Sequence, residues 1–224
     1  TVDTTNKAYW TPAANANGTL NAFTAVAKDN SGAESSTAIT ATVTVAAVND
    51  VPTGTSSTLT ILEDGSKTFT ASDFGFSDAV ENHALQAVII TTLPTAGTLT
   101  LSGVAVNANQ SIAFTNLGNL VYTPTANANG NSYATIGFKV QDAGGTTNGG
   151  VDTSISANTL TVNVSAVNDA PVITSGSSGT VAENAATTTV IYTASATDAD
   201  AGDTRTYSLK TGTGDDSSLL NINT

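Results

Sequence analysis

The chain has 224 residues, with 18 Asp and Glu against 6 Lys and Arg, and a formal net charge of −12. This charge repels nucleic acid and anionic lipid, which makes both poor partners. The chain has no Cys, so disulfides, thiol chemistry and Cys-ligated zinc are excluded. It has a single His, His83, so catalysis that depends on several His residues is not expected. No window approaches the roughly 18 consecutive apolar residues of a membrane helix, so membrane insertion of this segment is not expected.

Two phrases occur twice in the chain. Residues 41–50 and 160–169 are both alternating, β-branched strands that run into Val-Asn-Asp and are soon followed by Pro. A second phrase, 10–18, reappears as 122–130. The period is the length of one domain, rather than that of a solenoid turn. We therefore predict three units, listed by range: the C-terminal part of one module (1–50), a complete module (51–169) and the N-terminal part of another (170–224).

Predicted strands follow in chain order, because apolar and polar residues alternate almost everywhere. In the first unit an apolar segment runs from Phe23 to Asp29, ahead of the repeated strand. The strands expected in the complete module are 58–62, 67–71, 85–93, 98–101, 104–106, 111–114, 120–123, 133–141 and 159–165. In the last unit, 191–196 reads as a second strand that ends in an acidic loop. Turns of Gly, Pro and Asn separate these segments, and no amphipathic helix of useful length is expected.

Seven to nine short strands in about 119 residues favour an all-β fold. The economical architecture is a series of tandem immunoglobulin-like modules, each a Greek-key β-sandwich. Alternate Leu, Val, Ile, Phe and Tyr residues would fill each core. The truncated repeats at both ends lead us to expect that the chain is a segment of a longer extracellular rod.

Acidic and amide residues are predicted to gather at both ends of the complete module, because successive strands of a sandwich run in opposite directions. The residues expected at the upper joint, towards residues 1–50, are Asn49, Asp50, Asp73, Asp78 and Asp142. Those expected at the lower joint are Glu63, Asp64, Asn127, Asn129, Asn168 and Asp169, joined by Asp198, Asp200 and Asp203 of the next module.

These residues have two interpretations. Three acids within six residues, at 198, 200 and 203, repel one another unless a cation neutralises them, and Ca²⁺ takes six to eight oxygen ligands of these types. A bound ion would link two modules that are otherwise joined by one flexible strand. Alternatively, Asp, Asn and Gly are the commonest turn residues, and acids at strand ends occur in any β-protein.

Several phrases resemble cadherin-type repeats. Residues 181–184, 196–203 and 207–209 look like the opening half of a cadherin module, and 167–171 looks like its linker. The complete module is similar to the cadherin-like, proteoglycan-type repeats of large bacterial tandem-repeat or RTX adhesins. The phrases that carry this similarity are Glu63-Asp64, 71–78, 93–99, 122–124 and 137–142.

The resemblance implies calcium as the cofactor and assigns ligands at each joint. At the lower joint they would be Glu63, Asn168, Asp169, Asp198 and Asp200. At the upper joint they would be Asn49, Asp50 and Asp142, with Asp73 or Asp78 replacing the strand-end pair. The chain departs from cadherins in a shorter linker, in the amide-rich loop at 126–130 and in the split of the Asp-x-Asp pair. Fewer carboxylates imply fewer or weaker ions at each joint.

The expected function is structural. No nucleophile and base are paired by sequence, and we interpret His83 as an exposed loop residue without a partner, so no catalytic residues are assigned and an enzyme is not expected. The resemblance implies a calcium-rigidified extender of a secreted or cell-surface bacterial adhesin, acting in cell adhesion or biofilm attachment. Its partners would be neighbouring modules of the same chain, with cell-surface glycans or proteins as further candidates. The alternative is a polysaccharide- or protein-binding module of an extracellular matrix or surface-layer filament.

Overall fold

The computed structural model describes Lys7 and residues 9–210, and nearly all regular structure in them is β. Their strands are β1 (Gly18–Ala25), β2 (Ile39–Val45), β3 (Ser57–Leu62), β4 (Lys67–Thr68), β5 (Leu85–Thr92), β6 (Thr98–Leu101), β7 (Val104–Ala105), β8 (Gln110–Ala113), β9 (Leu120–Thr123), β10 (Gly130–Asp142), β11 (Asn158–Ser165), β12 (Val172–Ile173) and β13 (Ala196–Thr197). Three short 3-10 helices accompany them, at Ala71–Phe74, Phe114–Asn119 and Thr147–Gly149. The all-β prediction is confirmed. No helix in the described part is long and apolar enough to span a membrane.

Residues 57–165, which we call the central unit, form two sheets. One has five strands in the order β3-β11-β10-β5-β8, and the other has four in the order β4-β9-β6-β7. All neighbours in the two sheets are antiparallel except β3 and β11, which run parallel from Ser57 beside Leu160 to Leu62 beside Ser165. The chain therefore enters β3 and leaves β11 at opposite ends of this unit.

Side chains from both sheets meet in a single apolar core. The long strand β10 shows why, because every second residue from Ala134 to Val140 is almost fully buried, as the period of two requires. Phe138 of β10 meets Phe74 edge to face, with ring centroids 5.0 Å apart. Phe74 in turn lies 5.7 Å from Phe69, beside β4, so three aromatic rings connect the sheets.

The hairpin β1–β2 repeats the register of the pair β10–β11. Gly18 pairs with Val45 as Gly130 pairs with Val164. Phe23 then pairs with Ala41, as Ile136 pairs with Leu160, and both ladders contain a β-bulge before that point. The second strand of each pair is offset by the 119 residues that separate the repeated phrases in the sequence. The repetition is therefore present in strand pairing as well as in residue type.

Residues 170–210 contain only the two-residue pair β12–β13. The prediction of a strand over 191–196 is wrong except for Ala196, because Val172 and Ile173 are the only strand partners described for this part of the chain and a strand needs a neighbour for its backbone groups. A local turn is nevertheless repeated. Asp64 and Asn184 both have φ near 60° and are followed by N–H groups that donate to the carbonyl three residues earlier.

Most predicted strands of the central unit lie within two or three residues of their expected positions. The main exception is 67–71, where the strand ends at Thr68. Asp73 accepts hydrogen bonds from the N–H and hydroxyl of Thr70, and this capping box begins a 3-10 helix in place of a longer strand. Local side-chain bonding to the backbone thus overrides the alternating pattern.

Candidate cation-binding clusters

The structure brings together five residues at the end of the central unit that faces residues 7–50. We call Asn49, Asp78, Glu81, His83 and Asp142 the upper cluster. Asp142, the last residue of β10, is fully buried, and Asn49 is 8 % exposed. The Asn49 amide nitrogen donates to both carboxylate oxygens of Asp142, at 3.0 and 3.2 Å, and to the carbonyl of Val151 at 2.9 Å. The Asn of the first Val-Asn-Asp phrase therefore ties that linker to the central unit.

Asp78 occupies a loop that wraps around its carboxylate. The backbone N–H groups of Val80, Glu81 and His83 donate to its two oxygens, and the shortest of these bonds, from His83, is 2.7 Å. Burial raises the pKa of Asp78, but these three donors and the nearby imidazole outweigh burial and hold the pKa below its usual 3.8. Asp78 is thus stabilised as a carboxylate without an ion.

His83 is the residue that sequence reasoning misread. It is only half-exposed, and its Nδ1 lies 2.7 Å from the Asn49 side-chain oxygen and 3.4 Å from an oxygen of Asp78. Glu81 was not assigned either, although its carboxylate accepts from the Asp50 N–H at 3.2 Å. Ligand atoms of Asp78, Glu81 and His83 lie within 4.8 Å of one another. The short loop Glu81-Asn82-His83 gave no periodic signal by which either residue could have been placed.

An open cleft of about 420 Å³ lies beside the upper cluster. Its lining includes the amides of Asn15 and Asn17, the carboxylate of Glu81, the imidazole of His83, and Gly144. No Phe, Tyr or Trp is among the described residues that line it. The cleft is therefore polar and lacks the stacking surface with which proteins hold sugar rings.

Two residues predicted for the upper joint do not contribute their carboxylates to this network. Asp50 contributes its backbone N–H to Glu81. Asp73 forms an ion pair with Lys67 at 2.9 Å and caps Thr70. Burial raises the pKa of Asp73, but Lys67 and Thr70 outweigh it and lower the pKa overall. The structure therefore uses Asp73 as a local cap and ion-pair partner.

At the opposite end of the central unit lies what we call the lower cluster: Glu63, Asp64, Asp169, Asp198, Asp200 and Asp203. Glu63 is only 3 % exposed. Its two oxygens accept from the Asn129 amide at 3.0 Å and from the Val167 N–H at 2.6 Å, and these bonds lower its pKa. Asp64 accepts from the Asn127 N–H at 3.0 Å. The amide-rich loop thus supports both acids, as its predicted position at this end implied.

Asp169 has the least favourable surroundings of any acid in the described part of the chain. Its Oδ2 atom is buried and has no hydrogen-bond partner. Desolvation raises its pKa, and the charges of Asp64, Asp200, Glu63 and Asp198 raise it further. Asp169 forms no ion pair with any Lys, Arg or His among the described residues.

The next acids converge on Asp169 from residues 198–203. The Asp169 N–H donates to Asp200 at 2.6 Å, and the Asp200 N–H donates to Asp198 at 3.1 Å. Ligand oxygens of Asp198, Asp200 and Asp203 lie within 4.8 Å of one another. Asn168 is exposed, and its amide nitrogen donates to the carbonyl of Asp169. Of the residues predicted for the lower joint, Asp169 and Asp200 share a hydrogen bond. Asp64 and Glu63 act on Asp169 through their charges.

The donor set of the lower cluster suits a hard divalent cation. It consists of carboxylate oxygens with free lone pairs and nearby amide and backbone carbonyls, which are the ligands that Ca²⁺ prefers. The unpartnered Oδ2 of Asp169 is the atom for which such an ion would supply the missing partner. In the upper cluster, by contrast, hydrogen-bond donors already engage the two most buried acids.

Comparisons with protein-family models, with curated proteins and with solved structures find no match to this chain.

Proposed function

We propose that this chain is a calcium-rigidified extender segment of a large secreted or cell-surface bacterial adhesin, acting in cell adhesion or surface attachment. In this proposal the two-sheet unit is an immunoglobulin-like Greek-key module of the cadherin-like type, flanked by partial modules. Calcium at the joint that contains the lower cluster converts a flexible connection into a stiff one. Neighbouring modules of the same chain are the immediate partners, and no catalytic role is assigned.

The observation that carries this proposal is the buried, unpartnered carboxylate oxygen of Asp169 among four other acids. A carboxylate oxygen that is shielded from water and has no hydrogen-bond partner is unfavourable, and nearby like charges add to the penalty. A divalent cation removes both penalties at once. Protonation is the alternative, which the raised pKa of Asp169 already indicates.

The position of Asp169 gives the ion its mechanical consequence. Asp169 lies in the linker that follows β11, whereas Asp198 and Asp200 belong to the part of the chain beyond that linker. In the absence of an ion, one N–H bond connects Asp169 to Asp200. An ion held by carboxylates from both sides of the linker would add several bonds across it and restrict its bending.

The first test is calcium binding and flexibility of the 224-residue chain. We expect calorimetric titration to detect Ca²⁺ binding with a Kd in the range of extracellular modules, roughly 10⁻⁴ to 10⁻³ M. Small-angle scattering at low protein concentration should then show a more extended, less flexible particle with Ca²⁺ than with chelator. The double variant Asp198→Asn, Asp200→Asn should lose the binding and the scattering change together.

A matched control removes two negative charges elsewhere. Asp29→Asn with Glu34→Gln changes two exposed acids in the turn after β1, and it should leave calcium binding unchanged. Identical scattering with Ca²⁺ and with chelator would contradict the proposal, as would equal loss of binding in the two double variants. The acids would then be ordinary turn residues, the alternative that the sequence left open.

A further inference from the structure

A glycine-rich loop of the central unit holds the linker of the upper joint, residues 46–50. The loop follows β10, and we call its residues 143–151 the strap. The Val151 N–H donates to the Asn49 carbonyl at 3.0 Å, and the Asn49 amide nitrogen donates back to the Val151 carbonyl at 2.9 Å. The strap and the linker are thus bonded to each other in both directions.

An asparagine side chain supplies a further bond between the strap and the linker. The Asn148 amide nitrogen donates to the carbonyl of Ala47 at 3.1 Å. Gly150, next to these contacts, is buried, and a Cβ there would lie 2.9 Å from the backbone nitrogen of Asn49. The amide of Asn148 therefore belongs to a close contact that fixes the linker to the central unit.

Asn148 itself lies at the exposed tip of the strap. Asn148 and Gly149 are both exposed and both have positive φ, of 56° and 89°. A Cβ at Gly149, or at Gly145 on the other side of the tip, would meet no atom within 4 Å. The tip has room to change its backbone conformation, and its glycines lower the cost of doing so.

An Asn that is followed by Gly can lose its side-chain amide without an enzyme. The backbone nitrogen of the Gly gives up its proton and attacks the side-chain carbonyl carbon, which forms a new C–N bond. The bond to the side-chain nitrogen breaks, ammonia leaves with the proton, and a succinimide ring remains. Water then opens this ring to aspartate or isoaspartate. Gly favours the attack because it has no Cβ beside its nitrogen and a wide choice of φ and ψ.

The same Asn-Gly dipeptide occurs at Asn17 and Asn129, in other surroundings. The Asn129 amide donates to Glu63 at 3.0 Å, and Gly130 begins the ladder between β10 and β11. These bonds hold both reacting groups in place. The amide of Asn17 donates within its own turn, to the carbonyl two residues earlier. Of the three amides, that of Asn148 is bonded to the linker.

We propose that Asn148 is a site of spontaneous deamidation, and that its conversion loosens the upper joint as the protein ages. The product has a carboxylate, which only accepts hydrogen bonds, in place of an N–H donor. An anionic oxygen then faces the Ala47 carbonyl and repels it. In isoaspartate the side-chain methylene also enters the backbone, so the tip of the strap changes length. The proposal does not depend on calcium at the lower cluster.

Peptide mapping by mass spectrometry tests the reactivity of the site. The 224-residue chain is incubated for days to weeks at mildly alkaline pH, where the attacking nitrogen loses its proton more readily. In the folded chain, Asn148 should be converted to the acid several-fold faster than Asn129. In concentrated urea the two sites should react at similar rates, because the dipeptide is the same and the folded-state restraints are gone. Conversion of Asn129 as fast as Asn148 in the folded chain would overturn the proposal.

Hydrogen exchange tests the consequence for the joint. The N–H groups of Asp50 and Val151 donate across it, to Glu81 and Asn49, so their exchange rates report its local opening. Both should exchange faster in the aged chain than in the fresh chain, while exchange along β10 stays the same. A rise along β10 as well would mean that the whole central unit is destabilised, which would count against a local effect.

Three variants assign the effect to Asn148. Asn148→Asp should show the faster exchange at Asp50 and Val151 without ageing. Asn148→Gln, whose longer side chain closes a ring much more slowly, should show the same exchange before and after ageing. Asn17→Gln is the matched control and should age like the unaltered chain. The proposal fails if Asn148→Asp exchanges like the unaltered chain, or if ageing changes the Asn148→Gln chain as much as the unaltered one.

Discussion

The two clusters both contain Asp and Glu, but the surroundings of their carboxylates differ. In the upper cluster, Asp142 accepts from the Asn49 amide and the Gly144 N–H, and Asp78 accepts from three N–H groups. In the lower cluster, Asp169 keeps one buried oxygen without a partner, and burial together with nearby acids raises its pKa. One cluster is a complete polar network, whereas the other leaves a negative charge uncompensated.

This difference separates two roles that sequence patterns cannot distinguish. Carboxylates with hydrogen-bond donors stabilise a fold by themselves, and removing them leaves donors unsatisfied. Carboxylates that face one another stabilise a fold only after a cation or a proton has arrived. We therefore expect the upper cluster to stabilise its joint without an ion. The lower cluster should stabilise its joint only when a cation is bound.

The largest effect should come from Asp142→Ala. This change leaves the Gly144 N–H and part of the Asn49 amide without acceptors in a buried site, and we expect a loss of about 2–4 kcal/mol in the free energy of unfolding. The loss should be the same with Ca²⁺ and with chelator, as measured by urea denaturation. Asp200→Ala provides the contrast, with a change within about 0.5 kcal/mol in chelator. Equal calcium dependence of the two variants would contradict the division between the clusters.

A smaller loss is expected from crowding the upper cluster. A Cβ at Gly144 would collide with the side chains of Asn49 and His83, so Gly144→Ala should lower the free energy of unfolding by about 1–3 kcal/mol. Gly118→Ala is the matched control, because a Cβ there meets nothing within 4 Å. The two variants are compared by their urea midpoints. Equal midpoints would mean that the side chains of the upper cluster can move to accommodate the added Cβ at no cost in stability.

His83→Ala should have a still smaller effect. It removes the bond between Nδ1 and the Asn49 side-chain oxygen, and we expect a loss of about 1 kcal/mol. His83→Gln, which can place a nitrogen near Asn49, should recover part of it. Thermal unfolding of both variants tests the role of His83, since no change in either would restore the interpretation of His83 as an isolated loop residue.

The pH dependence of stability should have opposite sign in the two clusters. The pKa of Asp78 is lowered, so its contribution is present above 3.8 and is lost as pH falls through its folded-state value. The pKa of Asp169 is raised, so in chelator its repulsion disappears as pH falls through a value above 3.8. Urea midpoints from neutral pH to about pH 3 test this. At neutral pH Asp78→Asn should be less stable than the unaltered chain and Asp169→Asn more stable, and both gaps should close on acidification.

Alternation of apolar residues was sufficient to predict most of the central strands, because one face of each strand packs into the core shared by the two sheets. The alternating pattern failed where local hydrogen bonds, or the lack of a neighbouring strand, determine the structure. Asp73 caps Thr70 and ends β4 early, which no period of two reveals. Residues 191–195 alternate but have no strand beside them in the described structure, so the pattern alone was insufficient.

Some residues of the candidate sites could be predicted from the sequence, and others could not. Acids at or shortly after the ends of strands, such as Asp142 and Asp169, could be placed because the direction of a strand fixes where its end lies. Glu81 and His83 could not be placed, since they belong to a loop that folds back around Asp78. Such a loop is defined by backbone donors, which all residues except Pro possess and which leave no mark on the sequence. The assignment of calcium ligands stays a prediction.

The parallel pairing of β3 and β11 also determines how the central unit resists a stretching force. A force that pulls Ser57 and Ser165 apart acts along two strands that lie side by side and run in the same direction. The strands must then slide past each other, so the backbone bonds of the ladder share the force and break together. In a hairpin pulled open from its free end, the bonds break one at a time. Resistance to stretching is therefore concentrated in the six-residue ladder that β3, Ser57–Leu62, forms with β11.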